Sequence, residues 1–144
     1  MGLYMVFVSK NQVRMHDTDA AGILYFARQF RFVNDALEDY LESEKITYYQ
    51  MFNHEKVVLV IVHCEADFYK SLFVGNKLEV VVSCERIGKS AFTLLYQIYR
   101  LPPEGERELV GVARTVHCAI DYTTREKVDI PPNIRNMLDR QLIK

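Results

Sequence analysis

Eleven consecutive residues gather much of the reactive chemistry of this 144-residue chain: His16-Asp17-Thr18-Asp19-Ala20-Ala21-Gly22-Ile23-Leu24-Tyr25-Phe26. Two carboxylates, two residues apart, are followed by a glycine and then by the start of a helical pattern. Asp and Thr just before a helix accept hydrogen bonds from its free backbone N–H groups, and Gly22 eases the turn, so one reading of the segment is an N-cap. The same geometry serves chemistry. Free N–H groups and the positive end of a helix polarise a carbonyl, while a nearby carboxylate attacks that carbonyl or takes a proton from water. Residue types alone leave both readings open. His16 adjoins the acid pair, where a histidine is more often a hydrogen-bond partner than a catalyst.

A second stretch, Arg86-Ile87-Gly88-Lys89-Ser90-Ala91-Phe92, joins two strand-like runs. Two cations and a hydroxyl, on Arg86, Lys89 and Ser90, suit phosphate groups. Lys, Gly and Ser are equally the residues of a solvated hairpin turn. Tyr48 and Tyr49 read as packing residues or as walls for an aromatic ligand, and His54, His63 and His117 read as structural. Cys64, Cys84 and Cys118 lie 20 and 34 residues apart, too far for the close pairs that zinc sites use, and their odd number closes no disulfide framework. They are expected to be buried thiols in a reducing cytoplasm.

The elements that must position these residues follow from periodicity. Tyr4 to His16 suggests one strand, with a polar interruption near Lys10 and Asn11. Phe26, Phe30, Val33, Leu37, Tyr40 and Leu41 then draw one face of a long helix. Glu38, Asp39, Glu42 and Glu44 crowd its C-terminal half, where the helix dipole disfavours negative charge, so packing must hold that end. Runs rich in β-branched and aromatic residues predict strands over Val57–Tyr69, Lys77–Ile87, Ser90–Leu101 and Glu108–Tyr122. In the second of these, Leu78, Val80, Val82 and Cys84 alternate with Glu79, Val81, Ser83 and Glu85, the pattern of a sheet with one buried face. Pro102-Pro103-Glu104-Gly105 marks a hairpin. After Pro131 and Pro132, Ile134, Met137, Leu138 and Leu142 suggest a short closing helix. Strand, long helix and four successive strands make an α+β domain, an antiparallel sheet curled around one helix.

Composition narrows the partners. Apolar residues make up 49% and charged residues 26%, with a formal net charge of −1, which is ordinary globular composition without the basic field that gripping nucleic acid requires. No apolar run approaches the roughly 18 residues of a membrane span, and Met1 to Ser9 has no signal-peptide pattern.

The run from Asp17 to Tyr25 resembles the signature of the hot-dog acyl-CoA thioesterases of the 4-hydroxybenzoyl-CoA type. That signature is Asp-x-Asp-x-x-Gly followed by two apolar residues and an aromatic, and it is matched without a gap. The order of elements fits the same family over nearly the whole chain. The resemblance implies one hot-dog domain over residues 1–144, a five-stranded antiparallel sheet wrapped around one long central helix. It implies that Asp19, the second acid, is catalytic, either attacking the thioester carbonyl to form a mixed anhydride or activating water, while Asp17 is structural. Backbone N–H groups near Tyr25, Phe26 and Ala27 would bind the carbonyl oxygen, with Gly22 letting the loop approach closely. Arg86, Lys89 and Ser90 would meet the nucleotide end of coenzyme A. No metal or organic cofactor is implied, because coenzyme A is part of the substrate. Family members join two sheets edge to edge with the site between subunits, so a homodimer or homotetramer is expected.

Phe26 stands where some bacterial relatives carry a histidine. The segment Asp19–Ala27 looks more like the branch that hydrolyses 1,4-dihydroxy-2-naphthoyl-CoA. A short-chain acyl-CoA or acyl-carrier-protein thioesterase and a non-catalytic acyl-CoA binding module are the alternatives. The dehydratases of the same fold are disfavoured, since the helix from Tyr25 to Glu44 has no histidine.

Overall fold

Period-two alternation along Lys77–Ile87 foretells a strand with one face in the core, and the computed structural model, which describes residues 6–143, places it near the centre of a five-stranded sheet. Tyr4 and Met5, assigned by the sequence to the first strand, lie outside the described residues, as does most of the Met1–Ser9 stretch. In chain order the elements are β1 (Phe7–Gln12), α1 (Gln29–Ser43), α2 (Tyr48–Gln50), β2 (Val57–Phe68), β3 (Lys77–Ile87), β4 (Ala91–Leu101), β5 (Glu108–Asp121) and α3 (Pro132–Arg140). The sheet order is β1-β3-β4-β5-β2, and every neighbouring pair is antiparallel. The strand that follows the helix, β2, lies at the far edge of the sheet from β1 and, among the described residues, pairs with β5 alone.

The helix α1 lays Phe32, Val33, Ala36, Leu37 and Tyr40 against the inner faces of the strands, where Leu78, Val80, Val82, Leu94, Tyr96 and Ile98 are buried. Each such side chain contributes roughly 1.5–3 kcal/mol by leaving water. The short α3 closes one end with Ile134, Met137 and Leu138, and the Tyr40 hydroxyl donates to the Met137 carbonyl at 3.1 Å. The crowded acidic end of α1 is also met by specific partners: Arg140 pairs with Glu44, and Ser9 donates to Asp39.

Four expectations are corrected. The helix face counted from Phe26 starts later, because Phe26–Arg28 is a 3-10 turn and Phe26 is 64% exposed. Apolar spacing cannot tell a residue facing the core from one facing outward at a helix entry. The first strand runs unbroken through Lys10 and Asn11, paired to Glu79 and Leu78, and ends at Gln12 rather than near His16. An edge strand tolerates polar residues that a central one would not. Tyr48–Gln50 and the single wide turn Met51–Glu55 add a helical segment where the sequence predicts none. Of the three thiols, Cys84 and Cys118 are buried but Cys64 is exposed, since it lies on the edge strand β2. No helix among the described residues is long and apolar enough to cross a membrane.

Candidate active site

The two acids of the Asp17–Asp19 pair have opposite surroundings. The Asp17 side chain is wholly buried, and Arg31 grips it with both ends of its fork, Nε to Oδ1 at 2.7 Å and Nη2 to Oδ2 at 2.6 Å. The Arg14 N–H adds a bond to Oδ2 at 2.8 Å, and Arg28 approaches Oδ1 at 3.3 Å. Burial alone would raise this carboxyl, but the Arg31 and Arg14 bonds outweigh it and hold the pKa down at about 2. Arg31 also reaches the Gln12 carbonyl at 2.9 Å and Asp35 at 3.0 Å. Asp17 is therefore the ionic rivet that joins β1, the loop and α1.

Asp19 sits at the start of a tight turn. Its N–H donates to the Ile23 carbonyl at 3.0 Å, its carbonyl accepts from the Gly22 N–H at 3.0 Å, and Thr18 bridges Leu24. Gly22 has φ +80°, a conformation that side chains other than glycine's resist. One Asp19 oxygen, Oδ1, accepts from the Ala21 N–H at 2.8 Å. The other has no protein partner among the described residues. The turn is anchored beneath by the Leu24 N–H, which donates to the Leu72 carbonyl at 2.8 Å. Neither acid caps α1, so the N-cap reading does not hold: Asp17 is spent on Arg31, and Asp19 on its own turn.

At the helix entry, the Tyr25 N–H donates to the Asp17 carbonyl at 2.9 Å. That removes it from the three N–H groups read as carbonyl binders. The N–H groups of Phe26 and Ala27 have no acceptor among the described residues, and they stand at the positive end of the fifteen-residue α1. An exposed carboxylate oxygen and two unsatisfied backbone donors thus occur within one short segment. Phe26, Phe68 and Tyr69 line a pocket with Ile23 and Leu24 of that segment, and Phe73 bridges Ile23, so exposed apolar side chains gather there as on a binding or association surface.

The β3–β4 turn is built differently. Gly88 N–H donates to the Ala91 carbonyl at 2.7 Å, and Arg135 from α3 donates to the Gly88 carbonyl at 2.7 Å. Sequence reading missed Arg135, whose charge is used on the turn's backbone. Arg86 lines a cavity of about 300 Å³ with Phe92 and Thr93, while Lys89 and Ser90 lie outside its lining, Lys89 exposed and Ser90 half-buried. The Asp19 loop meets the chain a few residues before β3 begins, where the Leu24 N–H donates to the Leu72 carbonyl and Ile23 bridges Phe73. The turn lies at the opposite end of β3, roughly 30 Å along an extended strand of this length. The structure therefore does not bring Asp19 and Arg86 together within one chain.

Two further features were not read from sequence. Gln29, buried at the first turn of α1, donates to the Asp67 carbonyl of β2 at 3.5 Å and packs over Gly111. Tyr96, Thr115 and His117 form a buried hydrogen-bonded row beneath a groove beside β2. Each position alternates correctly for a strand, but their adjacency depends on the β4–β5 register, which one strand alone does not reveal. The remaining histidines are peripheral: His63 pairs with Glu65, and His16 is exposed 3.6 Å from Asp17.

A family model described as the thioesterase-like superfamily matches residues 13–138. A 1,4-dihydroxy-2-naphthoyl-CoA hydrolase from Nostoc punctiforme is 33% identical over 135 residues, covering 94% of this chain and 88% of the relative. Its counterpart in Gloeothece citriformis is 36% identical over 119 residues, covering 83% and 82%. Among solved structures, a 1,4-dihydroxy-2-naphthoyl-CoA thioesterase from Synechocystis superposes with a TM-score of 0.85 at 25% identity, over 94% of this chain and 96% of that one. The fold is the α+β hot-dog architecture that the Asp17–Tyr25 run implied.

Proposed function

Since this chain belongs to the thioesterase-like superfamily, we propose that it hydrolyses an aromatic acyl-CoA, 1,4-dihydroxy-2-naphthoyl-CoA, to the free acid and coenzyme A. The observation that carries the reading is the pairing, within residues 19–27, of a carboxylate oxygen without a partner and two N–H groups without acceptors. The thioester carbonyl oxygen lies against the N–H groups of Phe26 and Ala27. There the α1 dipole and the donors stabilise the negative charge that develops in the transition state. Asp19 attacks the carbonyl carbon to give a mixed anhydride that water then cleaves, or takes a proton from water as the water attacks. In both routes the C–S bond breaks, a C–O bond to water's oxygen forms, and the thiolate leaves to collect a proton. Gly22 holds the turn that presents Asp19, and Tyr25 and Phe26 flank the reacting bond. Neither a metal nor an organic cofactor enters either route.

Arg86, Lys89 and Ser90 hold the phosphates of coenzyme A, and they belong to the partner copy's turn when Asp19 belongs to the first. The Asp19 loop lies at the Phe68 end of β2, whereas the turn lies near the Val60 end, because Ala91 pairs with Cys118 and Cys118 with Val60. Antiparallel pairing of β2 with β2 of a second copy sets one chain's loop on the side of the other's turn. The edge is suited to it: Ile61 is 53% exposed and Val62 61% exposed. A homodimer, alone or paired into a homotetramer, is thus the working unit, and the three free thiols of each chain fit the cytoplasm.

Thiol release tests the reading. Purified protein is given 1,4-dihydroxy-2-naphthoyl-CoA, benzoyl-CoA, acetyl-CoA and a matched acyl-carrier-protein thioester. Fastest release from the naphthoyl ester supports it. Fastest release from acetyl-CoA or the carrier-protein ester moves the substrate class, and binding without release from any of them makes the chain a binding module.

A further inference from the structure

The β3–β4 turn has its carbonyl oxygens spent within the protein and its donors left over. The Gly88 carbonyl accepts from Arg135 Nη2 at 2.7 Å. The Lys89 carbonyl accepts from the Ile130 N–H at 3.0 Å and from the same Arg135 nitrogen at 3.2 Å. The Ser90 carbonyl accepts from the Ala119 N–H at 2.8 Å. Three successive acceptors are thus satisfied by elements packed against the turn. The N–H groups of Lys89 and Ser90 have no acceptor among the described residues, and the Lys89 ammonium and Ser90 hydroxyl lie beside them. Successive backbone donors with no competing carbonyl are suited to an anion.

The charges agree with the hydrogen bonds. Arg28, Arg31, Arg100, Arg107, Arg114 and Arg140 each pair with an acid. Among the described residues no carboxylate pairs with Arg86, Lys89 or Arg135, so three cations gather at one turn without a counter-charge. Arg135 differs from the other two in what it holds. Its Nη2 carries two protons, and these go to the carbonyls of two consecutive peptide units. Half-buried Arg135 sits between Ile134 and Met137, which are buried, so α3 is a fixed platform for the guanidinium. Without that clip, the Gly88 carbonyl has no partner and is free to turn towards a bound phosphate, where its partial negative charge repels. The planar fork of arginine reaches both carbonyls at once, whereas lysine supplies the charge without the fork.

We propose that Arg135 is a positioning residue for coenzyme A, which clips the Gly88 and Lys89 carbonyls and so keeps the turn's donors available to the nucleotide phosphates. The proposal rests on the reading of this chain as an acyl-CoA thioesterase whose β3–β4 turn meets coenzyme A. It is tested by kcat and KM for two thioesters of the same 1,4-dihydroxy-2-naphthoyl group, one of coenzyme A and one of pantetheine, which lacks the nucleotide. The proteins are wild type, Arg135→Met, which keeps the apolar stem but no donor, and Arg135→Lys. In Arg135→Met, KM for the coenzyme A ester rises about tenfold, on the order of one hydrogen bond to a charged group. Its kcat stays within about twofold of wild type, and KM for the pantetheine ester does not move. Arg135→Lys recovers part of the loss, and it carries the test should Arg135→Met fail to fold. Variants in which KM for the coenzyme A ester is unchanged, or in which both esters suffer equally, overturn the proposal and leave the thioesterase reading intact. A wild type with the same KM for both esters overturns the proposal together with the phosphate role of the turn. A wild type that releases no thiol from either ester overturns the thioesterase reading as well.

Discussion

Replacing Asp17 by Asn separates the structural acid from the reacting one. Asn keeps the shape of the side chain and can still accept from the Arg14 N–H, but it removes the charge that Arg31 and Arg28 face. In the fold the carboxyl sits at about 2 against an ordinary 3.8. At roughly 1.36 kcal/mol per unit of pKa, that difference corresponds to about 2 kcal/mol of stability carried by the ionised form. Truncating one partner of a buried pair also strands the other charge, and Arg31 keeps the half-buried Asp35 as its counter-charge, so the total loss is about 2–4 kcal/mol at pH 7. The folded pKa lies below the unfolded one. The stabilisation is therefore complete above pH 4 and disappears as pH falls through about 2. Urea unfolding of wild type and Asp17→Asn at one protein concentration, at pH 7 and again near pH 2, reads the difference directly. A gap of about 2–4 kcal/mol at pH 7 that narrows by about 2 kcal/mol in acid is expected. A variant within 0.5 kcal/mol of wild type at pH 7, a change on the order of an ordinary surface substitution, refutes the rivet. So does a gap of the same size at both pH values.

Two further stability predictions concern the polar row and the floor beneath α1. His117 is held neutral by burial at about 4 against an ordinary 6.5, so stability is full above pH 6.5 and falls by about 3 kcal/mol as pH drops to 4. His117→Gln flattens the stability–pH curve over that window, and parallel wild-type and variant curves would count against the assignment. A Cβ at residue 111 would stand 2.8 Å from Gln29 Oε1 and 3.0 Å from the Asp67 carbonyl, so Gly111→Ala costs about 1–3 kcal/mol by overpacking. Thermal melting shows it as a lowered Tm, and an unchanged Tm would mean that Gln29 yields freely.

What the sequence made legible was whatever is written in local period. Val57–Phe68, Lys77–Ile87, Ala91–Leu101 and Glu108–Asp121 fall within a residue of their predicted limits because alternation and turn residues are local signals. The Asp19 turn was legible through Gly22 and the fixed spacing of its acids. The parts that stayed hidden depend on pairing across the chain. Arg31 and Asp35 stand four apart on one helix, a readable pair, but nothing local shows that Arg31 also seizes Asp17 fourteen residues away. Phe26 and Cys64 look like core residues by type, yet both are exposed on the face where the sheet edge and the helix entry have no cover within one chain. The helical turn at Tyr48–Gln50 had a signal that was overlooked, since Thr47 accepts from the Gln50 N–H as an N-cap does.

The central claim is that the Asp19 carboxylate acts at the thioester bond, and the most direct test is thiol release from 1,4-dihydroxy-2-naphthoyl-CoA by Asp19→Asn beside wild type, with unfolding midpoints measured on both. Asp19 is exposed and its partner is a turn N–H that Asn also satisfies, so the variant keeps its fold. The account predicts wild-type stability with kcat lowered roughly 10²–10⁴-fold, the range for a positioned acid or base. A variant that folds and turns over within a few-fold of wild type would place the chemistry elsewhere.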